Sequence, residues 1–302
     1  MTTHANNGAT FRIGANPIIW SNDDFHDLGG DIPLQQCLAE MAQAGYAGTE
    51  LGHKYPRDPG ALLPLLEPHG LSVVSGWHSL ELLSASFDTE AARYRDHLQF
   101  LKRCGSDVVI VAECTRRVYH DPASALQFES RAELLSAADW DRLAVGVEAL
   151  AEMTREYDMR LVYHHHMGTV IQNEAEIDQL MARTHVMKLL LDTGHLAFAG
   201  VDPLRILQRY RDRVGHVHLK DVRASVVHDV RLSCASFATA VRNGVFTVPG
   251  DGSIDYAPIF ATLRDMHYDG WLVVEAEQDP RKAPPLQYAR SGRAYIRQML
   301  GV

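Results

Sequence analysis

Short apolar runs alternate with longer amphipathic stretches from one end of this chain to the other. The short runs are rich in β-branched and aliphatic residues. They predict strands from Phe11 to Ala15, Gly48 to Leu51, Leu71 to Gly76, Asp107 to Ala112, Arg160 to His164, Met187 to Asp192, Val214 to Leu219 and Trp271 to Glu275. Between them, apolar positions recur at helical spacing. Helices are predicted from Pro33 to Ala44, Pro59 to His69 and Glu90 to Cys104, each stopped by a glycine (Gly45, Gly70, Gly105), and from Ala138 to Tyr157. Further helices fit Glu174 to Arg183, Pro203 to Tyr210, Tyr256 to Met266 and Pro285 to Leu300. Strand and helix alternating about eight times predict an α/β fold, a (β/α)8 TIM barrel.

No linker rich in Pro, Gly or Ser and no repeat divides the chain. Residues 11–302 therefore read as one barrel domain behind a polar, flexible N-terminal tail, residues 1–10. Two connections exceed the usual length, Thr115 to Ala137 and Arg223 to Asp255. Both follow strand C-termini, the face where barrel enzymes place their active sites, which makes them candidates for a lid.

Four apolar runs in the second half end in residues capable of chemistry. They are LVYHHH, closing on His164, His165 and His166; LLLDTGH, with Asp192 and His195; HVHLKD, with His218 and Lys220; and LVVEAE, with Glu275. The interval from His166 to Asp192 equals that from Asp192 to His218 and fits one strand, one helix and two loops. Strand alternation puts His164 and His166 on one side and His165 on the other; it groups His216, His218 and Lys220, and likewise Glu275 and Glu277. With those sides inward, imidazoles and carboxylates converge at one rim. Such a set suits Mn²⁺, Co²⁺, Mg²⁺ or Zn²⁺ rather than a thiolate-seeking metal. The apolar run ahead of Asp192 also makes its buried carboxylate expensive without a cation. Each residue has a plainer reading too: Asp192 as a helix N-cap, Lys220 with Asp221 as an ion pair, Glu275 with Glu277 as a charged strand end. Four coincidences at four successive strand ends favour the metal.

The first half supplies supporting groups. Asn16, Trp20, Glu50, Trp77, His78 and Glu113 fall at or just after strand ends. Trp20 and Trp77 either wall a small polyol or cap the core, and Glu50 and His78 either touch substrate or make structural hydrogen bonds.

Composition narrows the function classes. At 302 residues and 46% hydrophobic, the chain can bury a large core. A formal charge of −9 argues against a nucleic-acid partner, which calls for a basic face. The four cysteines are widely spaced and no apolar stretch is long enough for a signal peptide or a membrane span, so free, buried thiols and a cytoplasmic location are expected, with no membrane partner. A homo-oligomer is compatible with the pattern, which does not specify one.

The phrases SNDD at Ser21, TELGHKYPRD at Thr49, YHHHMGT at Tyr163, LLLDTGH, HVHLKD, VPGDGSIDY and VVEAEQDP resemble those of the xylose-isomerase-like barrels, a family that includes sugar epimerases, hydroxypyruvate isomerase and endonuclease IV. The combination, running from about Phe11 to Val302, is similar to the 2-keto-myo-inositol dehydratases of inositol catabolism. The resemblance implies one metal ligand from each of the last four strands: Asp192, His218, Glu275 and a strand-five residue. That residue is usually glutamate; here histidine stands in its place, His164 or, as second choice, His166. The resemblance also implies Mn²⁺ or Co²⁺ as the ion and substrate contacts from His195, Lys220 and Arg223. The reaction it implies is loss of water from a cyclic polyol ketone through an enediolate, with Glu275 or His195 as base and Lys220 assisting the leaving hydroxyl. Epimerisation and isomerisation share that enediolate, so a keto-sugar epimerase or isomerase is the alternative. A hydrolase acting on DNA and a non-catalytic polyol sensor are the remaining classes.

Overall fold

The computed structural model describes residues 11–128, 131 and 134–302; the expected tail, residues 1–10, lies outside them. Eight parallel strands close a barrel in the order β1 (Arg12–Ala15), β10 (Trp271–Val274), β7 (Val214–Leu219), β6 (Lys188–Asp192), β5 (Arg160–His164), β4 (Val108–Glu113), β3 (Ser72–Leu80) and β2 (Gly48–Leu51). The two intervening strands, β8 (Asp221–Val222) and β9 (Phe246–Thr247), pair antiparallel as a ribbon above the barrel.

The helices between strands are α1 (Leu34–Ala44), α2 (Pro59–Leu66), α3 (Phe87–Arg103), α4 (Ala137–Arg155), α5 (Glu174–Arg183), α6 (Thr193–Phe198) with α7 (Pro203–Arg209), α8 (Ala224–Ser233), α9 (Phe237–Arg242), α10 (Tyr256–Asp265) and α11 (Pro285–Leu300). Outward residues such as Val109, Val111, Leu161, Leu189 and Leu191 join these helices in one core, while Val108, Ile110, Val162 and Leu190 form a separate cluster. That is the two-sided burial that makes parallel strands read as continuous apolar runs.

The lower barrel is plugged by the Trp271 indole with Val74 and Val273. A Cβ on Gly48 would stand 2.6 Å from Val74 and 2.7 Å from Trp271, so only glycine leaves room for this filling. With that end apolar and closed, the polar strand ends gather at the other rim.

Several boundaries move from those expected. Strand β3 continues through Trp77 and His78 to Leu80, paired with β4 along Trp77 to Leu80. The segment from Arg223 to Asp255 folds into α8, α9 and β9, and its bridge from Ser236 to Ala125 ties it to the other long connection. Phe237 and Phe246 pack their rings 6.1 and 5.2 Å from that of His195, so this segment is a packed roof over one side of the rim. All four cysteines are free, and Cys37, Cys104 and Cys114 are buried as expected; Cys234, which ends α8 in a left-handed conformation, is exposed instead. Among the described residues no helix is long and apolar enough to cross a membrane.

Candidate metal centre and active site

Strands β5, β6 and β7 and the residue after β10 carry His164, Asp192, His218 and Glu275 to one point at the rim. All four are buried, and one ligand atom from each lies within 4.8 Å of the others. Of the two strand-five candidates His164 falls in this group, while His166 belongs to a neighbouring cluster with His195 and Glu277.

Asp192 divides its carboxylate between two tasks. Oδ1 caps α6 by accepting from the His195 backbone N–H at 2.8 Å, so the plainer N-cap reading and the ligand reading are both compatible with its position. Oδ2 is buried with no hydrogen-bond partner, 3.4 Å from both His164 Nε2 and His218 Nδ1. His218 Nδ1 lies 2.6 Å from Glu275 Oε2 yet makes no aligned hydrogen bond. Orphaned buried acceptors and imidazole nitrogens converging on a common point are what a cation satisfies.

Charge balance agrees. Burial would raise the Asp192 carboxyl, but Lys220 and His195 hold it well below the usual range. Glu50 is held low by His218 and His216 against the same penalty, and Glu275 falls to about 2 beside Lys220 and His218. Four buried carboxylates, Glu50, Asp192, Glu275 and Glu277, face one buried ammonium, Lys220, which Glu275, Asp192 and Glu277 keep charged despite desolvation, and the His218 imidazole, which Glu50 and Glu275 push well above its ordinary range against the same penalty. The gathering of carboxylates around the unpartnered Asp192 Oδ2 favours a cation at this point. The residues present therefore fit a divalent metal ion.

Glu50 stands behind this centre. Its Oε1 accepts from Ser75 Oγ at 2.6 Å, His216 Nε2 at 2.9 Å and His218 Nε2 at 3.1 Å, and its Oε2 accepts from Asn16 Nδ2 at 2.7 Å. With Nε2–H committed to Glu50, His218 presents Nδ1 to the centre, the carboxylate–histidine–metal arrangement.

Lys220, fully buried, donates from Nζ to Glu277 Oε1 at 3.0 Å and lies 2.6 Å from Glu275 Oε1 and 2.9 Å from His195 Nε2. The Met167 backbone N–H faces the other His195 nitrogen, Nδ1, at 3.2 Å. A neutral ring has one bare nitrogen and can serve only one of these two donors. Burial and the nearby positive groups hold His195 and His166 well below their ordinary range.

An open cavity lies above, lined by Glu50, Trp77, Tyr119, His164, His166, His218, Glu275 and Glu277, with Asp23, Asp24, His53 and Arg57 at its mouth. Trp77 serves as an aromatic wall, its ring edge-on to His164 at 5.5 Å.

Three of the residues expected to touch substrate are placed away from the cavity, and for Trp20 and His78 the plainer structural reading is the one the surroundings match. Trp20 is fully buried and donates from Nε1 to Glu40 on α1 at 2.6 Å, because the short turn Pro17–Ile19 rotates it into the core. His78 follows Trp77 on the same strand, so alternation turns it outward to Glu90 on α3 at 2.7 Å. Arg223 is occupied by the Gly244 and Phe246 carbonyls, Thr247 and Asp251, where it secures the roof. None of the three lines the cavity. His195 and Lys220 are also absent from its wall and meet it through Glu275 and Glu277. Sequence reasoning passed over Asp23, Asp24, His53 and Arg57 individually, although SNDD and TELGHKYPRD contain them. Their side chains belong to loops, where no periodicity points the way.

The phrase VPGDGSIDY proves to be a wrap around a carboxylate. Buried Asp221 accepts from the backbone N–H groups of Val222, Gly250, Gly252, Ser253 and Ile254 at 2.8 to 3.2 Å. A Cβ on Gly252 would fall 2.2 Å from Asp221 Oδ1, which explains the glycine.

Residues 38–299 match the family described as xylose isomerase-like TIM barrel. The fold likeness extends to solved structures: the probable 3-DHS dehydratase AsbF of Bacillus anthracis superposes with a TM-score of 0.69 at 16% identity over 95% of this chain and 98% of that one. Nearer in sequence, an inosose dehydratase of Geobacillus thermodenitrificans is 45% identical over 96% of this chain and 98% of its own. One of Lacticaseibacillus casei is 43% identical over 95% and 96%. The chain belongs to the inosose dehydratase family within the xylose isomerase-like TIM barrels, and is a lyase.

Proposed function

We propose that this protein dehydrates 2-keto-myo-inositol to a trihydroxycyclohexane-dione, a step of inositol catabolism, with one divalent ion, Mn²⁺ or Co²⁺, held by His164, Asp192, His218 and Glu275. The observation that carries the reading is the convergence of those four side chains around the unpartnered Asp192 Oδ2 and His218 Nδ1 in a chain 45% identical to an inosose dehydratase.

When bound, the ion supplies Lewis-acid stabilisation of the negative charge that develops on adjacent substrate oxygens as the α C–H becomes acidic. The chain does the rest. Trp77 and Tyr119 present ring surface to a small cyclic substrate, and His166 faces it from just beyond β5. Glu277 meets the cavity with Oε2 buried and unpaired while Oε1 is fixed by Lys220, a posture suited to receiving a proton from carbon. The proton taken up by Glu277 can then pass to the β-hydroxyl, which leaves as water, while Lys220 and His195 stand behind Glu277 and hold it in place. Glu275, oriented by Lys220 and His218, acts here as a ligand rather than as the base.

The test is incubation of purified, Mn²⁺-loaded protein with 2-keto-myo-inositol. Growth of the ultraviolet absorbance of the enolised dione is expected. Interconversion of ketohexoses without that product would move the assignment to an epimerase or isomerase.

A further inference from the structure

Beside the four-ligand centre stands a second group with ligand character. His166, His195 and Glu277 are buried and bring one ligand atom each within 4.8 Å of one another. Lys220 Nζ reaches into this group, 2.9 Å from His195 Nε2 and 3.0 Å from Glu277 Oε1. Glu275 faces both groups. Its Oε2 lies 2.6 Å from His218 Nδ1 on the side of the four-ligand centre, and its Oε1 lies 2.6 Å from the ammonium. A carboxylate shared between two metal ions in a dinuclear site spreads its oxygens in this way.

We propose that Lys220 is a built-in organic cation that fills a second cation subsite at this rim, and thereby holds the centre to a single metal ion.

The placement of the ammonium is rigid. Its side-chain stem passes so close to Gly194 that a Cβ there would stand 2.4 Å from Lys220 Cγ, so the glycine of the DTGH phrase clears the path. The Phe246 ring lies 4.6 Å from Nζ, a cation–π contact from the roof. Asp192 Oδ2, 3.7 Å away, adds a further negative neighbour. A simple ion pair with one carboxylate explains none of this convergence of three carboxylates, an imidazole nitrogen and an aromatic face. A lysine serves where a second metal would compete, because it carries one positive charge and needs no open coordination position.

The proposal rests on the reading of the first centre as a metal site, and the experiment separates the two. Protein loaded with Mn²⁺ and dialysed is analysed for metal per chain, with electron paramagnetic resonance to detect spin-coupled pairs. Wild type is expected to hold one ion per chain and an uncoupled signal. Lys220→Ala and Lys220→Gln, each checked for native circular dichroism, are expected to hold two ions with a coupled signal, and adding His195→Ala to either should return the count to one. Wild type without bound ion would remove the metal reading itself and this proposal with it. Wild type with one ion and a folded Lys220 variant also with one would overturn the role of Lys220 alone, and two ions in wild type would overturn it as well.

Discussion

Replacing Glu50 by Gln alters no atom of the four-ligand centre, yet it should weaken metal binding. The carboxylate accepts from His218 Nε2 at 3.1 Å and His216 Nε2 at 2.9 Å, and it receives Ser75 Oγ on the same oxygen. Hydrogen bonds to a charged acceptor contribute about 1.5–3 kcal/mol against about 0.5–1.5 for neutral pairs, so the loss at His218 is roughly 1–1.5 kcal/mol. The amide nitrogen adds a second cost, since it would face Asn16 Nδ2, a donor at 2.7 Å; Asn16 cannot simply turn over, because its Oδ1 accepts from the Ile18 N–H at 2.9 Å. Together these predict a Kd for Mn²⁺ raised about 10- to 100-fold, the range typical of groups that orient a ligating histidine. Competition against a metallochromic chelator at neutral pH measures it. If Kd changes less than about twofold while KM for the keto-polyol rises at saturating metal, Glu50 is a substrate contact and the positioning argument fails.

Trp20→Phe removes the indole bond to Glu40 in the core and should lower stability by about 1–2 kcal/mol with KM unchanged, whereas Trp77→Ala strips the cavity wall and should raise KM; thermal melts and steady-state kinetics distinguish the two, and the reverse pattern would restore Trp20 to the site. His97 is held neutral, its pKa pushed down to about 4 by burial and then by the neighbouring His78. A base depressed on folding stabilises fully above its unfolded pKa near 6.5 and loses that contribution as pH falls toward 4, a loss of about 2–3 kcal/mol. Urea titrations at pH 7.5 and pH 4.5 should therefore differ by less in His97→Gln than in wild type; an equal difference in both proteins would count against the assignment.

The barrel is legible in the sequence because its strands are buried on both faces and read as unbroken apolar runs, each ending where chemistry begins. Counting along those runs brings Asp192, His218, Glu275 and the pair His164 and His166 to one rim, but two histidines on the same side of a strand cannot be told apart by alternation. For His78 the sequence left two readings open because β3 read as stopping at Gly76 frees it at the rim, whereas the strand's course to Leu80 turns it outward to Glu90 and gives the inward position to Trp77. Trp20 depended on a three-residue turn that carries no periodic signal. The helices α6 and α9 have only six residues each, and the stop of α8 is Cys234 with φ of 50°, where a glycine would have marked it. VPGDGSIDY is a readable motif whose partner, Asp221, is revealed only by the folded loop. The partition of work between Lys220 and the ligands was equally invisible, since it depends on distances between side chains from three strand ends.

The most direct measurement is anomalous diffraction from a crystal grown with Mn²⁺. The account predicts a single strong peak per chain at about 2.0–2.3 Å from His164, Asp192 Oδ2, His218 Nδ1 and Glu275 Oε2, with Lys220 Nζ still beside Glu277. A peak elsewhere, or none at full loading, would contradict it.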